Sequence, residues 1–377
     1  MAVRVPEIDY YSQHGMWGAY ASLVLGRLGR GAGVVVGGVR PPRGGLFVGY
    51  RVGRGEPRLL PFSAGTSIGL GAAAYREDDV DSSREDEKRS ASYFAASEIE
   101  RLVSLSGEEW RAGSLSFRVA SFFGEVPDPQ AVAPASARSA LRPSILLVLG
   151  FDNSSGSGPM TGLFGMQGIR RPLSDSTAGG LLGMAGGTEF GFAIRPKAGV
   201  VEVMDWSVVD AAFGGSGEDG LARPLRRLAS EGGLRFEVPA GGKAEYVVAL
   251  GAFRDGIVTA GLSSHAYHSC LFKDVEDVLE SALDDLAETL FRAERMDALL
   301  DSSGLSDDRK FLLSHAAHSY AARLSDAVLR RTPLGSAGHP GHKVLGRAAE
   351  VMAAEGLWSP ARLAEELAAV EAMYPAT

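Results

Sequence analysis

At 377 residues, 45% hydrophobic and 22% charged, the chain has an ordinary globular composition and enough length for two domains with separate cores, which excludes a disordered protein. A formal net charge of −8 repels polyanions and excludes nucleic acid as an expected partner, while a neutral ligand such as a sugar is unaffected by that field. Cys270 is the only cysteine, which excludes an intrachain disulfide and a cysteine-based zinc site; no metal and no cofactor are expected.

Residues 1–13 lack the apolar stretch of a signal peptide, and no uninterrupted apolar run reaches the ~18 residues of a membrane span. A cytoplasmic chain without membrane contact is the expectation. The Gly content, 49 residues, favours a turn-rich β architecture, because Gly supplies the positive φ that tight turns need.

In chain order, Gly29-Arg30-Gly31-Ala32-Gly33 runs into Val34-Val35-Val36, a predicted strand. A phosphate-binding loop needs a helix N-terminus at that point, so nucleotide binding is not expected. Arg76 to Arg89, with charges interleaved with Ser, reads as a solvated loop. Leu115, Phe117 and Val119 alternate with Ser116 and Arg118, the period-2 pattern of a strand with one buried face. Asp128, between Pro127 and Pro129, reads as a turn residue. Ser144 to Phe151 is a continuous apolar run, predicted to be an interior strand that ends at Asp152-Asn153. Phe190–Ile194 with Val200–Trp206, and Leu234–Val238 with Glu245–Leu250, are each predicted to form a hairpin around a Pro/Gly turn. Gly214 to Gly220 reads as a loop tip. Residues 1–272 are accordingly predicted to be a β-sandwich domain.

The pattern changes near Lys273. Val275, Val278, Leu279, Ala282, Leu283, Leu286, Leu290 and Phe291 fall at helical spacing, with Asp274 placed to cap the start and Gly304 to close the end. Ser306 caps a second predicted helix, whose inner stripe is Phe311, Leu312, His315, Ser319 and Ala322. After the linker Thr332–Gly341, two short helices are predicted over His342–Leu357 and Ser359–Met373. Ser359 is the N-cap of the second, Pro360 its first residue, and Leu363, Leu367 and Val370 its apolar stripe. That stripe must bury against the preceding helix or another copy of the chain. Fold-back of residues 332–377 together with a homodimer is the expectation.

Chemistry is harder to place. The adjacent acidic pairs Glu108-Glu109, Asp284-Asp285 and Glu365-Glu366 are read as solvated surface, since neighbours on a helix diverge. His265 with His268 and His315 with His318 have a spacing that could pair imidazoles on a helix, but no third metal ligand is in register. His315 is read as a packed polar residue of its helix stripe, and His339 and His342 as exposed linker residues. The ligand-facing candidates lie near the N-terminus. Trp17 offers a face that stacks on a pyranose, and His14, Arg40 and Arg43 offer donors to hydroxyls. The same residues fit a core tryptophan and an arginine pair flanking a rigid Pro41-Pro42 turn.

Seven local patterns occur in order along the chain. They are Gly18-Ala19-Tyr20-Ala21-Ser22 after His14, Arg40-Pro41-Pro42-Arg43, Trp110-Arg111-Ala112-Gly113 and Val126-Pro127-Asp128-Pro129, then Asp152-Asn153, Val258-Thr259-Ala260-Gly261 and Leu305-Ser306-Asp307-Asp308-Arg309-Lys310-Phe311. In order and spacing they resemble glycoside hydrolase family 52, the β-xylosidases. The resemblance implies a mainly β fold: a sandwich, then residues 273–331 as a linker helix and the first helix of an (α/α)6-type barrel. It also implies retaining hydrolysis of β-1,4-xylosides or xylo-oligosaccharides by two carboxylates carried on that barrel.

The chain departs from the family at three places. A His-His-Ser-Pro-like stretch is replaced by Gln13-His14-Gly15-Met16. Where the family's Asn-Glu-Gly-Glu-like nucleophile run is expected, Arg331-Thr332-Pro333-Leu334-Gly335-Ser336 carries no carboxylate. The proton donor is expected beyond Thr377. No catalytic residue is therefore carried over, and the barrel is expected to be truncated. The chain is expected to be a β-xylosidase relative that is inactive alone, either shortened or completed by a partner chain carrying the barrel. The alternative is a non-catalytic carbohydrate-binding or assembly module.

Overall fold

The computed structural model describes residues 10–16, 19, 21–37, 44–65, 91–121, 133–214, 229–254, 257–259, 263–265, 267–302, 324–325, 328, 339–353 and 358–374. These residues are mainly β, with a few helices toward the C-terminus. Strands β1 (Tyr10–Met16), β2 (Ala21–Gly26) and β3 (Gly33–Val36) pair antiparallel in that order as a small sheet. Then come β4 (Leu46–Val52), β5 (Arg58–Leu59) and β6 (Ser92–Tyr93), and the meander β7 (Ile99–Ser104), β8 (Gly107–Ala112) and β9 (Leu115–Ala120). Helix α1 (Pro134–Ala140) leads into β10 (Ser144–Asp152), β11 (Met160–Gln167), β12 (Arg171–Pro172), β13 (Leu182–Ala185), β14 (Phe190–Ile194) and β15 (Val200–Asp205). After α2 (Val208–Phe213) come β16 (Glu231–Val238), β17 (Lys243–Ala252) and the short pair β18 (Ile257–Thr259) and β19 (Ser263–His265). Helices α3 (Val275–Asp284), α4 (Leu286–Ser302), α5 (His342–Met352) and α6 (Pro360–Glu371) follow.

The described strands build an eight-stranded sheet in the order β12-β13-β14-β17-β10-β9-β8-β7 and a six-stranded sheet in the order β15-β16-β11-β4-β5-β6. Their inner faces share one core, in which Phe164 of one sheet meets Phe192 of the other edge to face at 4.9 Å and Phe151 lies 5.7 Å from Phe236. A Cβ on Gly162 would stand 2.3 Å from the Phe151 ring, so that position must lack a side chain for the sheets to close. The continuous apolar run of β10 has a matching cause. Ile145, Leu147, Leu149 and Phe151 face this core, while Leu146 joins Val275, Val278 and Leu279 of α3 on the other face.

Neither expected hairpin forms. β14 belongs to the eight-stranded sheet and β15 to the six-stranded one, and β16 and β17 are divided the same way. Each Pro/Gly turn carries the chain from one sheet to the other. Asn153 holds the second crossing: its Nδ2 donates to the carbonyls of Pro239 (2.9 Å), Gly158 (3.0 Å) and Val238 (3.3 Å), and its own carbonyl accepts from Gly241 N–H. Asn153→Ala strips three carbonyls, that of buried Val238 among them, of their donor and is expected to cost roughly 1–3 kcal/mol in urea denaturation. A loss below about 0.5 kcal/mol would show that the turn holds itself.

The helical segment starts as expected, with the Asp274 side chain accepting from Asp277 N–H at 2.8 Å. It breaks at Asp285 instead of continuing. Buried Arg142 reaches into that junction and donates to Ser281 O (3.0 Å), Asp285 Oδ2 (2.6 Å) and Thr289 Oγ1 (3.1 Å). The break turns the inward face to Thr289, Ala293 and Met296, leaving Phe291, expected in the stripe, 55% exposed. The second predicted helix, with Ser306 and His315, lies almost wholly outside the described residues, as do His318, the loop Arg76–Arg89, Asp128 and residues 215–220.

The tail folds back. Ser359 caps α6 by accepting from Arg362 N–H. Val370 is buried, with Leu363 and Leu367 packed beside it, against a cluster of Leu105, Met296, Leu324, Val328, Leu345, Met352 and Trp358. No helix among the described residues is long and apolar enough to cross a membrane.

Candidate functional site

His14 lies in the middle of β1, whose Tyr11 ring stands edge-on to Trp110 of β8 at 4.7 Å. Strand alternation sends Glu108, Trp110 and Ala112 of β8 inward, while Glu109 and Arg111 face out and pair with each other at 2.8 Å. Glu108 is thus 2% exposed, not the solvated residue expected of an adjacent acidic pair. The helix geometry behind that expectation does not apply to a strand. Glu109, its neighbour, does face outward.

Every oxygen of Glu108 is engaged. His14 Nε2 lies 2.9 Å from Oε1, the Ser12 hydroxyl donates to the same oxygen, and Arg101 Nε donates to Oε2 at 2.6 Å. Burial pushes the carboxyl up, but the His14 bond, the His14 and Arg101 charges and the Ser12 hydroxyl outweigh it and hold the group well below the usual carboxylate range. An ionised carboxylate only accepts, so the Nε2 of His14 is the donor. Arg101 also donates to Tyr11 O at 2.9 Å and lies over the Trp110 ring. Ser121 Oγ adds a bond to Gly15 O. Together these contacts fix β1 to the sandwich.

His14 is therefore a buried anchor, with no exposed surface of its own to offer a sugar. Trp17, Arg40 and Arg43 lie outside the described residues. The strands that flank them are described, and the register is informative. Met16, the last residue of β1, pairs with Ala21, the first of β2, and Ala21 pairs with Val36, the last of β3. The chain thus leaves for Trp17 and for Arg40 and Arg43 from the same end of the small sheet.

A second buried carboxylate went unread in the sequence. Glu231 accepts from Gln167 Nε2 at 2.6 Å and from the Val208 N–H at the start of α2 at 3.0 Å. Burial pushes its carboxyl up, and the charges of Asp210 and Asp205 push it the same way. Both oxygens are occupied by these donors, which gives Glu231 the work of holding α2 on the sheet. Of the other acidic pairs, Asp284 is exposed and pairs with Arg195, Asp285 grips Arg142, and Glu366 accepts from Leu324 N–H. His268 is buried and accepts from Arg254 N–H at 3.1 Å.

Residues 23–332 match glycosyl hydrolase family 52, and the chain belongs to that family. A β-xylosidase of Geobacillus stearothermophilus is 28% identical over 322 residues, covering 82% of this chain and 44% of its own length. A second β-xylosidase from the same organism is 29% identical over 330 residues, covering 83% of this chain and 51% of its own. The chain spans about half the length of the curated relatives it matches.

Proposed function

We propose that this chain supplies the sugar-facing β domain of a β-xyloside hydrolase, acting on xylo-oligosaccharides by the retaining route. In this reading residues 1–272 are the sandwich, 273–331 carry the linker helix and first barrel helix, and Trp17, Arg40 and Arg43 meet the sugar. Family membership supports the reaction class. The observation that carries the site is the register of β1, β2 and β3, which sends both candidate segments out from one end of a sheet clamped by His14 and Glu108.

Retaining hydrolysis needs two carboxyl groups about 5–5.5 Å apart. Arg331 to Ser336, standing where the nucleophile run is expected, holds none, so the 377-residue chain by itself is proposed to lack turnover. Calorimetric titration with xylobiose and xylotriose tests the binding half. Saturable heats are expected, weakened about fivefold or more in Trp17→Ala. Flat heats at millimolar sugar would remove the sugar-facing assignment. Incubation with an aryl β-xyloside tests the catalytic half, and turnover above a no-protein control would show that carboxylates within these residues suffice.

A further inference from the structure

His339 and His342 flank Gly341 at the start of α5, and Glu371 ends α6. The tail fold brings the three together. His339 Nε2 lies 2.7 Å from Glu371 Oε2, His342 Nδ1 lies 2.6 Å from Oε1, and the three potential ligand atoms all lie within 4.8 Å of one another. The imidazole rings stand 5.0 Å apart, with Tyr374 edge-on to His339 at 4.8 Å. His342 is largely solvent-facing, as expected for a linker, and His339 less so, but both are turned onto one carboxylate.

We propose that His339, His342 and Glu371 form a three-ligand site for a divalent transition-metal cation of the zinc class, with water completing the coordination. The donor set selects the class. Two imidazole nitrogens and one carboxylate oxygen suit Zn²⁺, Ni²⁺ or Cu²⁺, whereas Ca²⁺ and Mg²⁺ require sets dominated by oxygen. The geometry is close to what such an ion needs, because ligand atoms about 2.0–2.2 Å from a shared centre lie a little over 3 Å apart.

Three existing hydrogen bonds oppose the ion, because the two ring nitrogens that would ligate it now donate to Glu371. Gly341 N–H donates to His339 Nδ1 at 2.9 Å, which places the neutral ring's proton on Nε2. Coordination through Nε2 shifts that proton to Nδ1 and gives up the Gly341 bond, so the site is selective for ions that bind imidazole strongly. Once bound, the ion closes residues 342–371, which hold α5 and α6, into a loop and ties the start of one helix to the end of the other.

The full-length chain, titrated with Zn²⁺ by calorimetry, is expected to show one saturable site, and Co²⁺ an absorption band of low-symmetry coordination. Zn²⁺ should also raise the melting temperature. The His342 side chain is 86% exposed, so His342→Ala leaves the fold intact while removing a ligand. This variant and Glu371→Gln are each expected to weaken Zn²⁺ at least about tenfold and to abolish the thermal shift. Equal affinity in wild type and both variants would place the ion elsewhere and overturn the site. So would the absence of saturable binding at Zn²⁺ concentrations on the order of 100 µM.

Discussion

Removal of residues 333–377 is expected to lower the melting temperature by roughly 5–10 °C and to make the remaining protein associate. The tail's Leu345, Ala348, Ala349, Met352, Trp358 and Val370 cover Leu105, Met296, Leu324 and Val328, none of them more than 2% exposed. Returning a large apolar side chain to water costs about 1.5–3 kcal/mol. Part of that cost is offset by relaxation of the uncovered face and by the conformational freedom the tail no longer loses. What remains is a contiguous apolar patch that bridges α4 and the β7–β8 turn, a surface that seeks a partner. Thermal melts and size-exclusion chromatography of both forms check this. A shortened protein that stays monomeric and equally stable would make the tail a passive appendage.

Glu108→Ala is the second large effect, expected to cost roughly 3–5 kcal/mol by chemical denaturation. The substitution leaves His14 wholly buried and Arg101 mostly buried, each facing the vacated position. Since Arg101 keeps some access to water, the lower half of that range is the better expectation. Glu108→Gln should lose less, because an amide oxygen still accepts one bond.

The same residue predicts a pH dependence. Its folded-state value is depressed, so its stabilising contribution is present above the unfolded carboxylate value, near 4.5, and is lost as pH falls below that value toward the folded one. The stability gap between wild type and Glu108→Gln should therefore be widest at neutral pH and narrow on acidification. A gap that stays constant from pH 7 to about pH 3 would mean that charge on Glu108 contributes nothing.

Periodicity and capping were legible in the sequence wherever one segment's own residues decide the outcome. The alternation of Leu115, Phe117 and Val119, the apolar run of β10, and the caps Asp274 and Ser359 all appear in the structure where they were expected. Crossings between sheets were not legible. Residues 195–199 and 239–242 carry the same turn chemistry in a hairpin as in a crossing, and the choice is made by distant faces such as Phe192 and Phe236 that must end on opposite layers. The break at Asp285 was hidden for the same reason, since its partner Arg142 lies far away in sequence.

Glu108 was more accessible than that. Trp110 and Ala112 share its parity, and an acidic residue in phase with apolar neighbours on a strand signals a buried, partnered charge. Its partners His14, Ser12 and Arg101 come from other strands, which no local pattern could supply.

The strand order has a further consequence for how the protein is made. β10 pairs with β9, which precedes it, but its other neighbour is β17, and Ser144 must wait for Gly251, roughly a hundred residues later. β4 likewise waits for β11. On a ribosome the six-stranded sheet cannot close until β16 has emerged, nor the eight-stranded sheet until β17 has, and meanwhile the apolar strand β10 is displayed with one edge open. Such an interval favours slow folding and capture by holdase chaperones, and it makes growth temperature and translation rate the first variables that govern soluble yield.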